Sequence, residues 1–581
     1  MSRLARPLLL LLLLLCASPA WARGPLEPAV PPPTPRFDRL YDVDEVGKLL
    51  EGYARSYPGW VRLQSLGKSA EGRTLWLLTL TNPDTGAEDK KPGMYVDANI
   101  HANEVQGTET ALYLLDFMLT RYGKLERVTE LLDRAVFYFV PVVNPDGRAR
   151  WFRAPSTPHF PRTAVVPRDD DRDGLADEDG PDDLDGDGVI TQMRKRVPLG
   201  EGHYRVDPKD PRVMLRVGPG EQGDYELLGW EGVDNDGDGR INEDALGYVD
   251  ANRTWGYDFQ PRHVQPGASD YPLQLPETRA IAEWALGKPN LAAAQSFHNA
   301  GRMILRGPGS PHVPAYPRED ERVYELIGKQ GEQLLPGYRY MVIWKDLYRA
   351  HATTVDHLYM LHGAIAFTNE LYAAETDLDG DHKGGPEERM KWNDLLTLGR
   401  QFVPWKKVQH PQLGELETGG YRQDVGRIPE PWMLESECHR NAAFVLFHAR
   451  QLPKLALGEV RVRRMGEGLW RVDVPIKNER LIPSVTAIAR QNKLTRMDVA
   501  TLLGGQVVAS GVVRDPLHDR IDLQRRRPAR LEVDGVPGEG VRRLFFLVVG
   551  AGEVELRYDS LKGGVLEKRI KLEETSEPAP R

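Results

Sequence analysis

Apolar residues follow two alternating patterns along the chain up to residue 455. Residues 43–57 and 277–285 carry them at helical spacing, whereas residues 94–100 and 135–143 are short, mostly apolar runs typical of buried strands. Helical segments that alternate with buried strands are the pattern of a sheet whose faces are covered by helices. The first part of the chain is therefore predicted to be an α/β domain.

After Pro453 the pattern changes to short strand-like segments separated by turn residues. These segments are residues 460–464, 469–474, 484–490, 507–513, 543–549, 553–558 and 566–572. About seven short strands at this spacing are typical of a β-sandwich. We expect an all-β sandwich domain over residues 456–573 and a tail at 574–581.

A long polar stretch interrupts the α/β pattern. Residues 148–249 contain many Asp, Gly and Pro and show little periodicity, and within them residues 169–187 contain 11 acidic residues and one Arg. A loop of this length is usually functional, so we expect a functional or metal-ordered insert. The net charge of −9 is therefore mostly local. It gives no indication of a nucleic-acid or membrane partner.

The N-terminus has the order of a secretory signal peptide. In residues 1–22 a basic start and an apolar run precede the small residues Ala20 and Ala22 of a cleavage site. Cys16 would allow a lipoprotein instead, although the residue before it is not small. We expect a secreted or periplasmic protein without a membrane span, in which the Pro-rich residues 23–36 form a linker.

One strand-to-helix junction carries a histidine and a carboxylate three residues apart. His101 and Glu104 follow the buried run at 94–100 and precede a helical segment. Side chains at this spacing can bind one metal ion, and a site of two His and one carboxylate leaves zinc an open position for water. The spacing also occurs by chance, so the pair alone does not decide between a metal site and an ordinary pair.

Several short motifs stand in a fixed order along the chain. They are residues 57–58, 65–69, 71–74, 100–104, 144–147, 250–253, 296–298 and 367–371. In this order they resemble the zinc carboxypeptidase family, and the resemblance covers residues 38–455. It implies a catalytic domain at 37–455 whose mixed, mostly parallel sheet is flanked by helices, followed by the all-β sandwich. It also implies one catalytic Zn²⁺ and peptide or protein substrates with a free C-terminus.

The resemblance further implies roles for individual residues. These are zinc binding for His101, Glu104 and His298, orientation of the first zinc histidine for Asp250, general-base catalysis for Glu370, oxyanion stabilisation for Arg194, binding of the substrate carboxylate for Asn252 and Arg253, closure over the substrate for Tyr348, and contact with the C-terminal side chain for Val355. A planar guanidinium suits the carboxylate, because it can donate two hydrogen bonds to it. Other arginines and tyrosines compete for two of these roles, namely Arg148, Arg153 and Arg196, and Tyr338, Tyr340 and Tyr359.

Some residues depart from the digestive branch of that family. Asn103 stands where this branch has Arg, and so resembles the regulatory branch, which also carries a C-terminal β-sandwich. Val355 cannot neutralise a buried cation and therefore favours an apolar or aromatic C-terminal residue, whereas the regulatory branch favours a basic one. Because Ala352, Thr353 and Thr354 also alter the pocket wall, both preferences stay open.

The insert contains three Asp-rich segments with the spacing of calcium loops. Alternate carboxylates around a turn glycine let a short loop wrap a hard cation such as Ca²⁺. The glutamate that completes an EF-hand is absent, so the loops would share ligands, and the alternative is a solvated acidic loop. The candidate ligands are Asp169, Asp171, Asp173, Asp177, Asp183, Asp185, Asp187, Asp234, Asp236, Asp238 and Asn242.

Three functions fit these patterns. The first is a zinc-dependent carboxypeptidase that hydrolyses the C-terminal peptide bond of peptides. The second is a zinc endopeptidase or amidase that acts on cell-wall peptides and needs no clamp for a free carboxylate. The third is an inactive, calcium-ordered binding protein. This last function predicts the loss of at least one of four residues that are all present, His101, Glu104, His298 and Glu370.

Overall fold

The computed structural model describes residues 24–153, 164, 166, 167, 169, 172–243, 249–374, 384–422, 424–515, 517, 518 and 520–575, without the side chain of Arg153. The predicted signal peptide lies outside the described residues. So do Asp171 and most of the predicted tail.

The described part of the chain up to residue 453 contains helices and strands in alternation. In chain order the strands are β1 (Val61–Lys68), β2 (Thr74–Leu80), β3 (Gly93–Ala98), β4 (Val136–Val140), β5 (Gln192–Arg196), β6 (Tyr204–Val206), β7 (Met214–Arg216), β8 (Tyr225–Trp230), β9 (Leu291–Asn299), β10 (Met303–Arg306), β11 (Arg339–Val342), β12 (Ile365–Leu371), β13 (Phe402–His410) and β14 (Gly414–Tyr421). The helices are α1 (Val43–Ser56), α2 (Gln106–Arg121), α3 (Glu126–Arg134), α4 (Pro145–Arg153), α5 (Pro276–Leu286), α6 (Arg318–Leu334), α7 (Thr354–His362), α8 (Pro386–Leu395) and α9 (Pro431–Arg450).

An eight-stranded sheet with the order β1-β2-β4-β3-β9-β12-β10-β11 forms the centre of this region. The pairs β3–β4, β3–β9, β9–β12 and β10–β11 are parallel, and the other three are antiparallel. All residues of β3 are buried, and successive residues face opposite sides: Val96 packs with α2, whereas Tyr95 packs against Trp284 of α5. Strands covered on both faces become continuous apolar runs. The predicted mixed, mostly parallel sheet flanked by helices is confirmed.

A second, antiparallel sheet has the order β13-β14-β5-β8-β6-β7. Four of its strands lie within the insert at 148–249. We expected this insert to be irregular throughout, and the four strands correct that expectation. The strands β6 and β7 contain three residues each, and most of their side chains are half-buried. Strands of three residues are too short to produce a recognisable alternation of polar and apolar residues in the sequence.

The C-terminal region is built from two antiparallel sheets that share an apolar core. Its elements are β15 (Leu455–Leu457), β16 (Arg461–Gly466), β17 (Leu469–Asn478), α10 (Ala487–Asn492), β18 (Asp498–Leu503), β19 (Gln506–Asp515), β20 (Arg520–Leu523), β21 (Arg530–Val533), β22 (Val541–Val549), β23 (Glu553–Ser560) and β24 (Gly564–Lys571). One sheet has the order β15-β17-β22-β19-β20, with β16 also on β17, and the other β21-β18-β23-β24. The all-β architecture is confirmed, except that residues 484–490, predicted as a strand, contain the start of α10.

Two buried polar side chains join the C-terminal region to helices of the first part. Asp320 of α6 accepts hydrogen bonds from the backbone N–H groups of Ala487 (2.8 Å) and Ile488 (2.9 Å), and so holds the first turn of α10. Lys562 donates to the carbonyls of His362 (2.6 Å) and Gly363 (2.9 Å), where α7 ends. The C-terminal region thus supports α7 from the end opposite to the site described below. None of the described helices is long and apolar enough to cross a membrane.

Candidate active site

The turn between β3 and α2 is shaped by a side chain that bonds to its backbone. Asn99 has a φ of 58°, and its Nδ2 donates to the carbonyls of His101 (2.8 Å) and Ala102 (3.1 Å). The buried Arg148 donates to Asn99 Oδ1 (3.1 Å) and pairs with Glu109 (2.7 Å), which ties this turn to α4 and α2. Arg148 is therefore a structural residue of the turn.

Two histidines and one glutamate meet where β3 and β9 end. Glu104 lies 2.9 Å through Oε1 from His101 Nδ1 and 2.9 Å through Oε2 from His298 Nδ1, and the two Nδ1 atoms are 3.2 Å apart. All three side chains are buried. Burial disfavours the charged carboxylate, but the two histidines outweigh it and keep the pKa of Glu104 well below its usual range. Two nitrogens and one carboxylate that converge in this way are the donor set of an open zinc site.

Asp250 orients the first of these histidines. Its Oδ1 lies 2.9 Å from His101 Nε2 and also accepts from the backbone N–H of Asn252 (2.8 Å). A carboxylate on Nε2 leaves Nδ1 as the nitrogen that faces Glu104, and raises the basicity of the imidazole as a ligand. The structure therefore brings Asp250 to the position expected for it.

Glu370 lies beside the metal-ligand cluster of His101, Glu104 and His298. It stands on β12 directly opposite His298 of the parallel neighbour β9, so both side chains project from the same face of the sheet. The residues around it in β12 are buried. Glu370 therefore stands next to His298 on the face of the sheet that carries the cluster.

A guanidinium and a phenol meet next to the segment that carries Asp250. Arg253 donates through Nη1 to the carbonyl of Asn252 (2.7 Å) and through Nη2 to the hydroxyl of Tyr348 (3.4 Å). Among the described residues, no carboxylate contacts this guanidinium. Asn252 Oδ1 accepts from both the backbone N–H (2.9 Å) and the hydroxyl (3.0 Å) of Thr354, which fixes the segment against the start of α7. Arg253 and Tyr348 can therefore receive a carboxylate from outside the protein.

Val355 is buried in the first turn of α7, and the acidic residue after it is fully engaged. Asp356 accepts hydrogen bonds from Gly309 N (2.9 Å), the Tyr316 hydroxyl (3.0 Å) and the Thr353 hydroxyl (3.0 Å), and burial raises its pKa. Its oxygens are thus occupied by protein donors. The charge of Asp356 does not change the apolar character expected of the wall at Val355.

The expectation for Arg194 is wrong, because the structure places its guanidinium in the second sheet. It pairs with Glu417 (2.8 Å) and lies over the rings of Trp405 (4.1 Å) and Tyr225 (5.0 Å). Strand pairing decides this position, since Arg194 of β5 stands opposite Glu417 of β14.

A different arginine, which the sequence analysis missed, lies at the cluster. Arg427 Nη1 is 3.8 Å from Glu104 Oε1 and donates to the carbonyl of Asn299 (3.1 Å), while Asn299 Nδ2 donates back to the carbonyl of Arg427 (2.9 Å). Arg427 belongs to a loop without periodicity, and its contacts are remote in the chain. The glycine before it was the sole local signal, and that signal marks a turn.

The acidic loops of the insert share one hydrogen-bond pattern. Asp183 accepts from the N–H groups of Gly186 (2.9 Å) and Gly188 (2.8 Å), and Asp234 from those of Gly237 (2.6 Å) and Gly239 (3.1 Å). In the first loop, Asp169 accepts in the same way from the N–H groups of residues 172 and 174. The described parts of the three loops thus share one arrangement, in which the first Asp of each loop accepts from N–H groups three and five residues later.

Two of these loops gather carboxylates closely enough for a cation. The groups are Asp183, Asp185 and Glu231, and Asp234, Asp236 and Asp238, each with oxygens within 4.8 Å of one another. Glu231 was not predicted; it is buried on the turn after β8, accepts from Thr191 N (2.7 Å), and burial raises its pKa. Of the other described carboxylates, Asp169, Asp173, Asp177 and Asp187 belong to neither group, and Asn242 Nδ2 donates to the carbonyl of Trp230 (3.0 Å).

Two family models match parts of the chain. Residues 46–159 match the model described as "Zinc carboxypeptidase", and residues 454–571 match the model described as "Domain of unknown function (DUF8731)".

Relatives and solved structures also match the chain in part. Human carboxypeptidase D is 34% identical over 135 residues, which are 23% of this chain and 10% of the relative. Carboxypeptidase B of Astacus astacus is 33% identical over 112 residues, 19% of this chain and 35% of the relative, and the inactive metallocarboxypeptidase ECM14 of Saccharomyces cerevisiae is 33% identical over 113 residues, 19% of this chain and 26% of the relative. The chain thus spans about a third or less of the length of these relatives. The crystal structure of thrombin activatable fibrinolysis inhibitor has a TM-score of 0.45 at 15% identity, covering 71% of this chain and 74% of that one.

Proposed function

We propose that the protein is a zinc-dependent carboxypeptidase that hydrolyses the C-terminal peptide bond of peptides. The match of residues 46–159 to the model described as "Zinc carboxypeptidase" supports this proposal. The observation that carries this proposal is the buried cluster of His101, Glu104 and His298 with Glu370 on the adjacent strand. The three ligands would hold Zn²⁺. When bound there, zinc supplies a Lewis acid and lowers the pKa of water.

Two residues around the cluster have separate roles in the proposed reaction. Asp250 keeps His101 in one tautomer and orientation. Glu370 takes the proton from the attacking water and delivers it to the leaving amine, as a general base that becomes a general acid. Glu370 is fixed on a strand of the central sheet, and Asp250 is held by its hydrogen bonds to His101 and to the backbone of Asn252, so little reorganisation is needed when a substrate arrives.

The choice of a C-terminal bond rests on Arg253 and Tyr348. A guanidinium without a carboxylate partner among the described residues favours the free carboxylate of a peptide, to which it can donate two hydrogen bonds. Tyr348 is half exposed and reaches the same guanidinium, so it can close over the bound peptide. The apolar wall at Val355 favours an apolar or aromatic C-terminal side chain, with a preference of about 1–3 kcal/mol.

The other candidate functions each have a discriminating observation. An endopeptidase or amidase would not need the pair of Arg253 and Tyr348. An inactive binding protein is a real alternative, because an inactive metallocarboxypeptidase is among the relatives. The presence of His101, Glu104, His298 and Glu370 favours an enzyme.

Calcium, export and the domain division are part of the same proposal. The two carboxylate groups of the insert, at Asp183 and at Asp234, would bind Ca²⁺ and order their loops. Residues 1–22 would direct the chain to the periplasm or the medium. The catalytic domain would end near residue 455, before the β-sandwich.

The test is a panel of N-blocked dipeptides that end in Phe, Leu, Lys, Arg or Glu, each with a free and an amidated C-terminus. We expect hydrolysis of the free acids alone, fastest for Phe and Leu, with loss of activity when zinc is removed and recovery when it is restored. R253M should lose most of the preference for free acids. Equal rates on amides would favour the endopeptidase, and no zinc-dependent hydrolysis of any peptide would favour the inactive protein.

A further inference from the structure

A cavity of about 360 Å³ lies between the second sheet and α8. Its wall includes Gln192, Trp230, Arg389, Tyr421, Arg422 and Arg427. Three of these six side chains are arginines, and none is an acid. Because the cavity is open to solvent and concave, a ligand can enter it and contact several of these groups together.

Arg427 connects this cavity to the metal-ligand cluster. Its guanidinium lines the cavity and also lies 3.8 Å from Glu104 Oε1. The segment with Arg253 reaches the cluster at a different ligand, through the contact of Asp250 with His101. The two arginine-bearing segments therefore meet the cluster at two different ligands, His101 and Glu104.

The charges around the cavity are not balanced by the described residues. Arg422 is neutralised by Asp424, to which it donates two hydrogen bonds (3.0 and 2.7 Å). Arg389 instead lies over the ring of Tyr421, 3.7 Å from its centre, and no carboxylate of the described chain contacts it. Among the described residues, Glu104 is the one carboxylate that pairs with Arg427, and its oxygens lie against the two histidines of the cluster. Two guanidinium groups thus remain for an anion.

The position of the cavity indicates which part of a substrate it would meet. If Arg253 holds the C-terminal carboxylate, the reacting bond lies at the cluster, and the preceding residue extends beyond it towards Glu104. A side chain on that residue would enter the cavity. Carboxylates are the groups that pair best with guanidinium, through short, charge-assisted hydrogen bonds.

We propose that Arg389 and Arg427 form a subsite for an acidic side chain on the substrate residue that precedes the cleaved bond. This inference rests on the proposed carboxypeptidase function and adds the substrate class to it. The recognition is electrostatic and partly exposed, so it weakens as the ionic strength rises.

The test compares N-blocked dipeptides with Glu or Gln before the C-terminal residue, since the two side chains share one shape and differ in charge. The pairs are made with Phe and with Lys at the C-terminus. We expect kcat/KM to be about tenfold higher for Glu than for Gln at low salt, because charge-assisted hydrogen bonds are about twice as strong as neutral ones. Raising the salt concentration should reduce this ratio.

Variants assign the preference to the cavity. R389M should lower the Glu-to-Gln ratio to about two or less, and R389K should restore part of it through its charge. R196M removes a matched arginine from β5 that is exposed and lies outside the cavity, and it should leave the ratio as in the parent enzyme. Equal rates for Glu and Gln, or a ratio that R389M does not change, would overturn the proposal.

A binding measurement separates this inference from the proposed function. Calorimetry with zinc-loaded E370Q, which retains the cavity, should show about tenfold tighter binding of the Glu peptide than of the Gln peptide. If the parent enzyme hydrolyses no peptide, the carboxypeptidase proposal fails, and the binding ratio still decides the subsite. Equal dissociation constants would exclude the subsite whatever the activity.

Discussion

The metal-ligand cluster and the acidic loops of the insert gather carboxylates in two different ways. At the cluster, His101 and His298 come from the ends of two central strands, and both lie against the carboxylate of Glu104 in the protein interior. The imidazoles compensate the buried charge. The central sheet therefore fixes the positions of the two histidines relative to Glu104.

In the acidic loops, the aspartates are half-buried or exposed, and those of each group belong to one short segment. Asp183 and Asp234 are held by N–H groups of their own loops. One lysine lies near the first group, Lys406 at 3.4 Å from Asp185, and one arginine near the second, Arg240 at 3.6 Å from Asp238. Glu231 is the exception, because it is buried on a different segment. Repulsion within such a loop decreases when a cation binds. The comparison predicts that loss of zinc abolishes activity, whereas loss of calcium mainly lowers stability.

The largest effect is expected from E370Q. This variant keeps the shape of the side chain and leaves the three metal ligands untouched, but it cannot accept a proton. Turnover should fall by roughly 10²–10⁴-fold, as is typical when a general base is lost. Steady-state hydrolysis and metal analysis of the same sample would show low activity with normal zinc. Near-normal activity would remove Glu370 from the mechanism.

A smaller effect is expected from D250N, which tests whether the contact of Asp250 with His101 strengthens zinc binding. Loss of a carboxylate behind a metal-bound histidine typically weakens metal binding by about 10–100-fold. Competition with a chelator would measure the zinc affinity. D258N is a matched control, since Asp258 bonds to His351 (2.8 Å) outside the cluster, and its zinc affinity should equal that of the parent. A parental zinc affinity in D250N would show that the sheet alone positions His101.

Calcium should stabilise the loops without changing the chemistry. A ligand that binds only the folded protein adds about 1.4 kcal/mol to the free energy of unfolding at a tenfold excess over its Kd. Thermal unfolding with calcium, magnesium or no added ion, at fixed ionic strength and with zinc monitored, would measure it. E231Q should reduce the calcium effect. An unchanged midpoint under all conditions would show that the loops are merely solvated.

The smallest effect is expected from Lys562, where burial alone should make the stability depend on pH. Lys562 is buried, and burial lowers its pKa to about 7 from 10.5. Between these two values the unfolded chain binds more protons than the folded one, so the free energy of unfolding rises with pH above about 7. The gain between pH 7 and pH 8 should be about 1 kcal/mol.

Denaturant unfolding of the parent and K562M at several pH values would isolate this gain. The free energy of unfolding of the parent relative to that of K562M should increase as the pH rises from 7 to 8. Well below pH 7 this difference should not change with pH. A difference that is independent of pH throughout would mean that the amine does not titrate in this range.

Local signals explain what the sequence alone could predict. The buried run of β3 followed by His101 and Glu104 is contiguous in the chain, and so are the motifs around Asp250 and Glu370. Arg427 could not be predicted, because its neighbour Glu104 lies in a remote segment and its loop has no period. Arg194 was assigned to the wrong site for the same reason: its partner Glu417 is set by pairing between β5 and β14.

Tertiary contacts also overrode a local pattern in the C-terminal region. Residues 484–490 are apolar enough for a strand, but Asp320 of α6 accepts from the N–H groups of Ala487 and Ile488 and stabilises a helical turn there. Likewise, Glu231 joins the acidic loop at Asp183 from a turn after β8 that carries no calcium motif. Contacts between remote segments leave no local pattern in the sequence.

The zinc content of the purified chain tests most directly whether His101, Glu104 and His298 form one catalytic metal site. Metal analysis should find about one zinc per chain in the parent protein and in H203A, which removes an exposed histidine of the insert. H298A, with folding checked by its thermal transition, should retain almost none and should hydrolyse no dipeptide. Full zinc occupancy in a folded H298A protein would contradict the site.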